Sequence, residues 1–202
     1  TTWSRGLGDV YKRQNYTYCF NDTLAAKDIG PGNVLMDEYL KKTKGIDYDK
    51  NGDIASSGNI NKDIINQFYE HEFYNVKQKH SFDRNEFDFS FVKGLEFEDA
   101  VATLTYFTAL IISQNIKKNF DNEIEIILCG GGRKNLTLVN HIKKLLKFKI
   151  KLIDEFSIDG DFIESQAFAY LSIRSYLKKI ISYPSTTNVL NPVTGGDIKI
   201  NF

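Results

Sequence analysis

The sequence predicts an α/β fold in which helices cover a sheet. The first observation is an alternation along the chain. Short apolar runs of strand length, such as residues 124–129 and 149–154, are each followed by a segment with apolar residues at helical spacing. The second observation is composition: with 42% hydrophobic and 13% aromatic residues in 202, the chain can form the core of one domain or of two small lobes.

The first predicted elements are a hairpin and a helix. The segments NYTYCF and TLAAKD flank two polar turn residues, which predicts a β-hairpin whose second strand ends at Asp28. Asn33 can then cap a helix that runs to about Thr43. Residues 1–14 show neither helical nor strand periodicity. We expect them to be a disordered or foreign leader, with the domain itself spanning residues 15–202.

Residues 45–61 are rich in Asp, Asn, Gly and Ser and are predicted to be loop with at most a short strand. Part of this segment, DYDKNGDI, resembles a calcium-binding loop, because acidic and amide residues alternate around Gly52. The EF-hand pattern requires Glu at its twelfth position, where this chain has Gly58. We therefore interpret the segment as a solvated turn.

The rest of the chain alternates between helical and extended patterns. Helices are predicted over residues 60–74, 96–119, 136–146 and 161–179, and strands over residues 124–129 and 149–154. Residues 79–91 are predicted to form a charged loop with many aromatic side chains. The segment after Pro184 is rich in Ser, Thr, Asn, Pro and Gly and is predicted to be irregular.

Charge and cysteine content exclude several classes of protein. Lys plus Arg and Asp plus Glu both number 26, so no net charge indicates a nucleic-acid partner or a membrane surface. Cys19 and Cys129 give neither a disulfide framework nor a metal-ligand spacing, and the three histidines stand singly. The most apolar stretch, residues 100–112, is too short and too rich in Thr to span a bilayer. These observations predict a cytoplasmic protein without a metal site.

The loop that follows the hairpin carries the first candidate site. It reads DIGPGN, and its glycines and proline form a rigid bend that lets the main chain approach a ligand closely. An acid held at the start of this loop, Asp28, is a candidate catalytic base. The alternative is that Asp28 caps a turn that the glycines only make tight.

The second candidate is the run of three glycines, Gly130, Gly131 and Gly132, between a predicted strand and a predicted helix. Their main-chain N–H groups and the helix N-terminus suit a nucleotide or phosphate. The spacing matches neither a Walker A loop nor a dinucleotide fingerprint, and the alternative is a tight strand-to-helix turn. Arg133 and Lys134 can contact phosphate or cover the helix end. An unrelated nucleotide-binding domain, for instance of the methyltransferase type, would rest on this turn alone.

Glu164 is the third candidate. Small and apolar residues crowd around it on the predicted helix. Its carboxylate therefore lies either at the solvent edge of the helix or in a cleft where it can hold a hydroxyl group.

A series of motifs resembles the anhydro-N-acetylmuramic acid kinases, sugar kinases of the actin, Hsp70 and hexokinase superfamily. DIGPGNVLMD resembles the family's D-T-G-P-G-N-x-L-x-D signature. The similarity continues, in family order, through YDKNGDIASSG, HSFDRNEF, VATLTYFTA, LCGGGRKN, GDFIESQAFAYL and NPVTGG. These motifs cover most of residues 15–197 and correspond to the C-terminal half of the family's chain. The resemblance implies an actin-like ATPase (ribonuclease H-like) C-terminal lobe, with a mixed sheet covered by helices.

The resemblance also implies an activity. Such kinases use ATP and Mg²⁺ to open the 1,6-anhydro ring of anhydro-N-acetylmuramic acid with water while phosphorylating O6, which gives N-acetylmuramate 6-phosphate in peptidoglycan recycling. The catalytic base maps onto Asp28. The implied sugar-binding residues are Gly30, Gly32, Asn33 and Glu164. The implied nucleotide-binding residues are Gly130, Gly131, Gly132 and Asn135.

The chain departs from the family pattern at three positions. Ile29 stands where the family usually has Thr, His80 where Lys is common, and Arg133 where a small residue is usual. The family's N-terminal half, with its first phosphate-binding turn, has no counterpart in this sequence, so we expect a truncated kinase that is inactive alone. The alternative expectation is a non-catalytic module of the same fold that binds a sugar or a partner chain. The resemblance further suggests a homodimer.

Overall fold

The computed structural model describes residues 14–20, 23–70, 89–120 and 124–196. The strands are β1 (Gln14–Phe20), β2 (Thr23–Gly30), β3 (Glu125–Leu128) and β4 (Lys149–Leu152). The helices are α1 (Val34–Lys44), α2 (Asp53–Ser57), α3 (Lys62–Glu70), α4 (Phe97–Asn119), α5 (Leu136–Leu145), α6 (Ile163–Tyr176) and α7 (Pro184–Thr187). Short 3-10 turns precede α2, α4 and α5 and follow β4.

The strands form one antiparallel pair and one parallel pair in the described residues. β1 and β2 form an antiparallel hairpin in which Asn15 lies opposite Asp28, and β3 and β4 form a parallel pair. In the described residues these are two separate two-stranded sheets. Because β3 and β4 are parallel, the segments that leave their carboxyl ends emerge at the same edge.

The core is built around α4, the longest helix. Leu104, Phe107 and Ile111 on this helix are fully buried, and α1, α5 and the hairpin pack around them. The end of β2 approaches α4 so closely that a Cβ added to Gly30 would lie 3.1 Å from Ile111 Cγ2. Burial of these apolar side chains fixes the start of the DIGPGN loop against the core.

Most of the predicted elements are confirmed. The hairpin, α1, the helix behind Asn61, α4, both later strands and α5 lie within a few residues of their predicted positions. The predicted helix over residues 161–179 is present and spans Ile163–Tyr176. The segment after Pro184 contains α7, and Ser182 pairs with Val193 in an isolated bridge. Residues 1–13 and 71–88, with most of the predicted loop 79–91, lie outside the described residues.

The prediction for residues 45–61 is wrong. This segment contains a 3-10 turn at Lys50–Gly52 followed by α2. Asp49 is only 6% exposed, and its two carboxylate oxygens accept hydrogen bonds of 2.9 Å from the main-chain N–H groups of Ile54 and Ala55. The acid therefore satisfies the N–H groups at the start of a helix, and it is not part of a solvated turn.

Among the described residues, none of the helices combines the length and the apolar character needed to cross a membrane.

Candidate functional site

Seven of the nine predicted site residues meet at one cavity of about 650 Å³. It lies where the N-terminal ends of α1, α5 and α6 come together. Its walls include the following residues that the sequence singled out: Gly32, Asn33, Gly130, Gly131, Gly132, Asn135 and Glu164. Segments separated by about a hundred residues in the chain thus contribute to a single cleft.

The electrostatics of this cavity favour an anionic ligand. A helix N-terminus carries partial positive charge and main-chain N–H groups without intrahelical partners, and three such termini face the cavity. Lys50 and Lys134 add positive side chains to its wall. Lys134 Nζ contacts Asp161 Oδ2 at 2.5 Å, whereas no ion pair is seen for Lys50 within the described part of the chain.

The triple-glycine turn, residues 130–132, forms an open cradle. Gly130 adopts φ +76°, a conformation that favours glycine, and a Cβ added to Gly130 or Gly131 would meet no atom of the described chain within 4 Å. Within the described residues, no main-chain acceptor is seen for the N–H groups of Gly131 and Gly132. Free N–H groups beside empty space are the arrangement that a phosphate group requires.

Asn33 and Asn135 both occupy the N-cap position of a helix, but their side chains make different contacts. Asn135 caps α5, since its Oδ1 accepts a hydrogen bond of 2.9 Å from Leu138 N. Asn33 precedes α1 at the predicted cap position but makes no side-chain cap bond. Its Oδ1 is buried and has no hydrogen-bond partner among the described residues. A buried acceptor without a donor is costly, which marks Asn33 as a group available to a ligand.

Glu164, Gly30 and Asp28 differ in how they relate to the cavity. Glu164 lies in the first turn of α6, lines the cavity, and has no hydrogen bond or ion pair among the described residues. Gly30 is buried against α4 and is not part of the cavity wall. For Asp28 the structure describes the main chain in β2, and its side chain lies outside the described part.

Arg133 neither contacts the cavity nor covers a helix end. Its guanidinium donates two hydrogen bonds to Asp154, of 2.7 and 3.0 Å, and one of 3.0 Å to Asp161 Oδ1. The hydrogen bond to Asp154 raises the pKa of Arg133, and it lowers the pKa of Asp154 from 3.8 to about 2. Lys134 and then Arg133 lower the pKa of Asp161. We call Arg133, Lys134, Asp154 and Asp161 the Arg133 cluster.

One wall of the cavity was missed by reasoning from the sequence. It consists of Tyr48, Asp49, Lys50 and Asn51, which lead into α2. The sequence did contain a signal for this wall, since these residues belong to the YDKNGDIASSG motif. The spacing of Asp and Asn in the segment was compared only with a calcium-binding loop, which it does not match. In the described residues there is no cluster of three or more His, Cys, Asp or Glu side chains that could hold a metal ion.

The fold and the cavity together define an α/β domain with a cleft suited to a phosphate-bearing ligand. Residues 18–200 match the family model for anhydro-N-acetylmuramic acid kinase. The chain belongs to the anhydro-N-acetylmuramic acid kinase family, which confirms the resemblance seen in the motifs and agrees with the predicted α/β, actin-like fold class.

Individual relatives agree with this family. The chain is 49% identical over 190 residues to the anhydro-N-acetylmuramic acid kinase of Pelagibacter ubique (strain HTCC1062), covering 90% of this chain and 50% of that protein. It is 38% identical over 178 residues to the protein of the same name from Zymomonas mobilis subsp. mobilis (strain ATCC 31821 / ZM4 / CP4), covering 88% and 48%. The chain therefore spans about half the length of these curated relatives.

A distant likeness to a solved structure was also found. The activator of the 2-hydroxyisocaproyl-CoA dehydratase from Clostridium difficile with bound ADPNP aligns with a TM-score of 0.48 and 15% identity, over 84% of this chain and 61% of that chain.

Proposed function

We propose that this chain forms the part of an ATP-dependent kinase that holds both substrates of a ring-opening phosphorylation. The sugar is anhydro-N-acetylmuramic acid, water opens its 1,6-anhydro ring, and O6 receives the γ-phosphoryl group to give N-acetylmuramate 6-phosphate. Family membership supports the substrate class. The single observation that carries the proposal is the shared cavity, in which residues of the DIGPGN loop and of the triple-glycine turn line the same cleft.

In this proposal Asp28 is the general base. Water is a weak nucleophile towards an anomeric carbon, so a carboxylate that takes its proton accelerates the attack by roughly a hundred- to ten-thousandfold. The main chain of Asp28 lies in β2, two residues before Gly30, and Gly32 and Asn33 line the cavity. The rigid bend between them would hold the acid in one place relative to the sugar.

Asn33 and Glu164 would orient the sugar. The Oδ1 of Asn33, which has no partner in the described part of the chain, can accept a hydrogen bond from a hydroxyl or amide group. The carboxylate of Glu164, at the start of α6, can accept hydrogen bonds from a pair of hydroxyl groups. These contacts would fix the sugar with its anomeric carbon facing the base and its O6 facing the nucleotide.

The triple-glycine turn would hold the phosphates of ATP. Phosphoryl transfer depends mainly on alignment and on neutralisation of charge, and main-chain N–H groups with nearby helix N-termini supply both. A magnesium ion would neutralise part of the phosphate charge.

The test is a chimera, because the chain spans about half of its relatives. The half of the Pelagibacter ubique protein that this chain does not match is fused to it, and formation of N-acetylmuramate 6-phosphate is measured with MgATP. We expect activity from the chimera, a strong loss in Glu164→Gln, and no loss in the control Asp53→Asn, whose carboxylate is exposed and lies outside the cavity wall. A folded chimera that binds neither MgADP nor the anhydro-sugar would contradict the proposal.

A titration of the chain alone distinguishes the alternative function. Saturable binding of the sugar that does not change when MgADP is present, together with a chimera that lacks activity, would favour a non-catalytic sugar-binding module. A kinase that uses cellular ATP is expected in the cytoplasm, and self-association into a homodimer is a further expectation that sedimentation velocity would test.

A further inference from the structure

Arg133 is the most heavily engaged charged side chain near the cavity among the residues that the structure describes. It is only 6% exposed, and its guanidinium donates hydrogen bonds to Asp154, to Asp161 and to the carbonyl oxygen of Gly130 at 3.1 Å. Burial of an arginine is costly unless its donors are satisfied, and here two carboxylates and a carbonyl satisfy them. The arrangement is specific, since Lys at this position could not form the same planar fork.

The contact with Gly130 acts directly on the triple-glycine turn. The carbonyl oxygen of Gly130 accepts from the main-chain N–H of Arg133 at 3.2 Å as well as from its side chain. In a trans peptide the C=O and the following N–H point in opposite directions. Arg133 does not line the cavity. Because the Gly130 carbonyl is held towards Arg133, the N–H of Gly131 is directed away from Arg133.

Through its hydrogen bonds to Asp154 and Asp161, Arg133 also reaches the opposite wall of the cavity. Asp161 lies two residues before α6, whose first turn carries Glu164. Gly160 packs directly on the guanidinium, and a Cβ there would come within 2.3 Å of Arg133 Nε. Gly160 N also donates to Asp154 Oδ1 at 3.4 Å. One side chain thus connects the triple-glycine turn to the start of α6.

We propose that Arg133 is a positioning residue that sets the direction of the triple-glycine N–H groups and fixes α6, with Glu164, relative to them. This inference rests on the proposed function, because it gives the cluster a part in binding the nucleotide. Arg133 itself does not line the cavity.

The test uses the whole 202-residue chain with MgADP as the probe. Isothermal titration compares wild type with Arg133→Gln and with Asp154→Asn, whose half-exposed position makes it the milder change. We expect the Kd of Arg133→Gln to rise about tenfold, the size of one lost hydrogen bond to a charged group, and that of Asp154→Asn to rise less. Amide hydrogen exchange of residues 130–135 should become faster in both variants without ligand.

The control is Glu125→Gln, which removes an ion cluster whose members lie outside the cavity wall. Glu125 pairs with Lys149 at 3.1 Å and with Lys151 at 3.0 Å. The Glu125→Gln change should leave both the Kd for MgADP and the amide hydrogen exchange of residues 130–135 unchanged. If Arg133→Gln lowers only the melting temperature and retains the wild-type Kd and exchange, the inference is overturned and the proposed function stands. If wild type binds no MgADP, the proposed function fails, and the exchange data alone decide whether Arg133 orients the turn.

Discussion

The side chain of Asn33 lies against Gly132: a Cβ added to this glycine would come within 3.8 Å of Asn33 Oδ1. The contact joins the DIGPGN loop, which starts at the end of the hairpin, to the triple-glycine turn, which follows β3. It brings together a group suited to a sugar hydroxyl and main-chain groups suited to phosphate. Transfer between two ligands requires this kind of adjacency.

Gly131→Ala is expected to weaken nucleotide binding without weakening the fold. A Cβ at Gly131 meets no atom of the described residues within 4 Å, so stability should change by no more than about 0.5 kcal/mol. The added methyl group would take space that a phosphate needs, and the Kd for MgADP should rise about tenfold or more. Titration calorimetry and urea unfolding measure the two effects.

The control for Gly131→Ala is Gly45→Ala, which should weaken the fold without weakening nucleotide binding. Gly45 ends α1 with φ +68°, where alanine costs about 1–2 kcal/mol, and it lies outside the cavity wall. Stability should fall while the Kd stays at the wild-type value. An unchanged Kd in Gly131→Ala would show that the phosphates do not lie on the turn.

Asn33→Ala is expected to maintain or increase stability while reducing sugar affinity. Among the residues that the structure describes, the Oδ1 atom is buried without a partner and caps no helix, so its removal should leave the free energy of unfolding unchanged or raise it by up to about 1 kcal/mol. Binding of the anhydro-sugar should weaken. Both quantities are measured on the same samples by urea unfolding and calorimetric titration.

Asn135→Ala is the matched change at the other helix. Because Asn135 Oδ1 caps α5, its loss should lower the free energy of unfolding by about 1–2 kcal/mol. If Asn33→Ala proves as destabilising as Asn135→Ala, Asn33 is a structural cap and not a group reserved for the ligand.

The Arg133 cluster should contribute stability that is lost at low pH. The pKa of Asp154 is lowered from 3.8 to about 2 in the folded protein. The contribution of Asp154 to stability is therefore complete at pH values above its pKa in the unfolded chain, and it disappears as the pH falls through its pKa in the folded chain. The difference in unfolding free energy between wild type and Asp154→Asn should be constant above about pH 5 and shrink as the pH falls towards 2. A difference that stays constant down to pH 2 would show that Arg133 does not stabilise the ionised carboxylate.

Local pattern was sufficient to predict most of the helices and strands. The apolar spacing of α1, α4 and α5 and the alternation in the hairpin are periodic signals that tertiary contacts reinforce. The short helix α2 was missed because its start depends on the carboxylate of Asp49, which accepts two main-chain hydrogen bonds instead of facing solvent. A helix of five residues offers too few positions for periodicity to be visible.

The Arg133 cluster could not be read from local pattern. Its partners Asp154 and Asp161 are 21 and 28 residues away, so the pairing exists only once β3 and β4 lie side by side. The parallel pairing itself could have indicated it, because the segments after both strands share one edge and carry the arginine and the aspartates. The meeting of Asn33 with Gly132 likewise depends on packing around α4.

The most direct test of the central claim is the rate of N-acetylmuramate 6-phosphate formation in the chimera, compared between wild type and Asp28→Asn. The proposal predicts that the Asn variant binds MgADP and the anhydro-sugar normally but forms product at least about a hundredfold more slowly. An Asp28→Asn chimera that works at the wild-type rate would mean that Asp28 is not the base at this site.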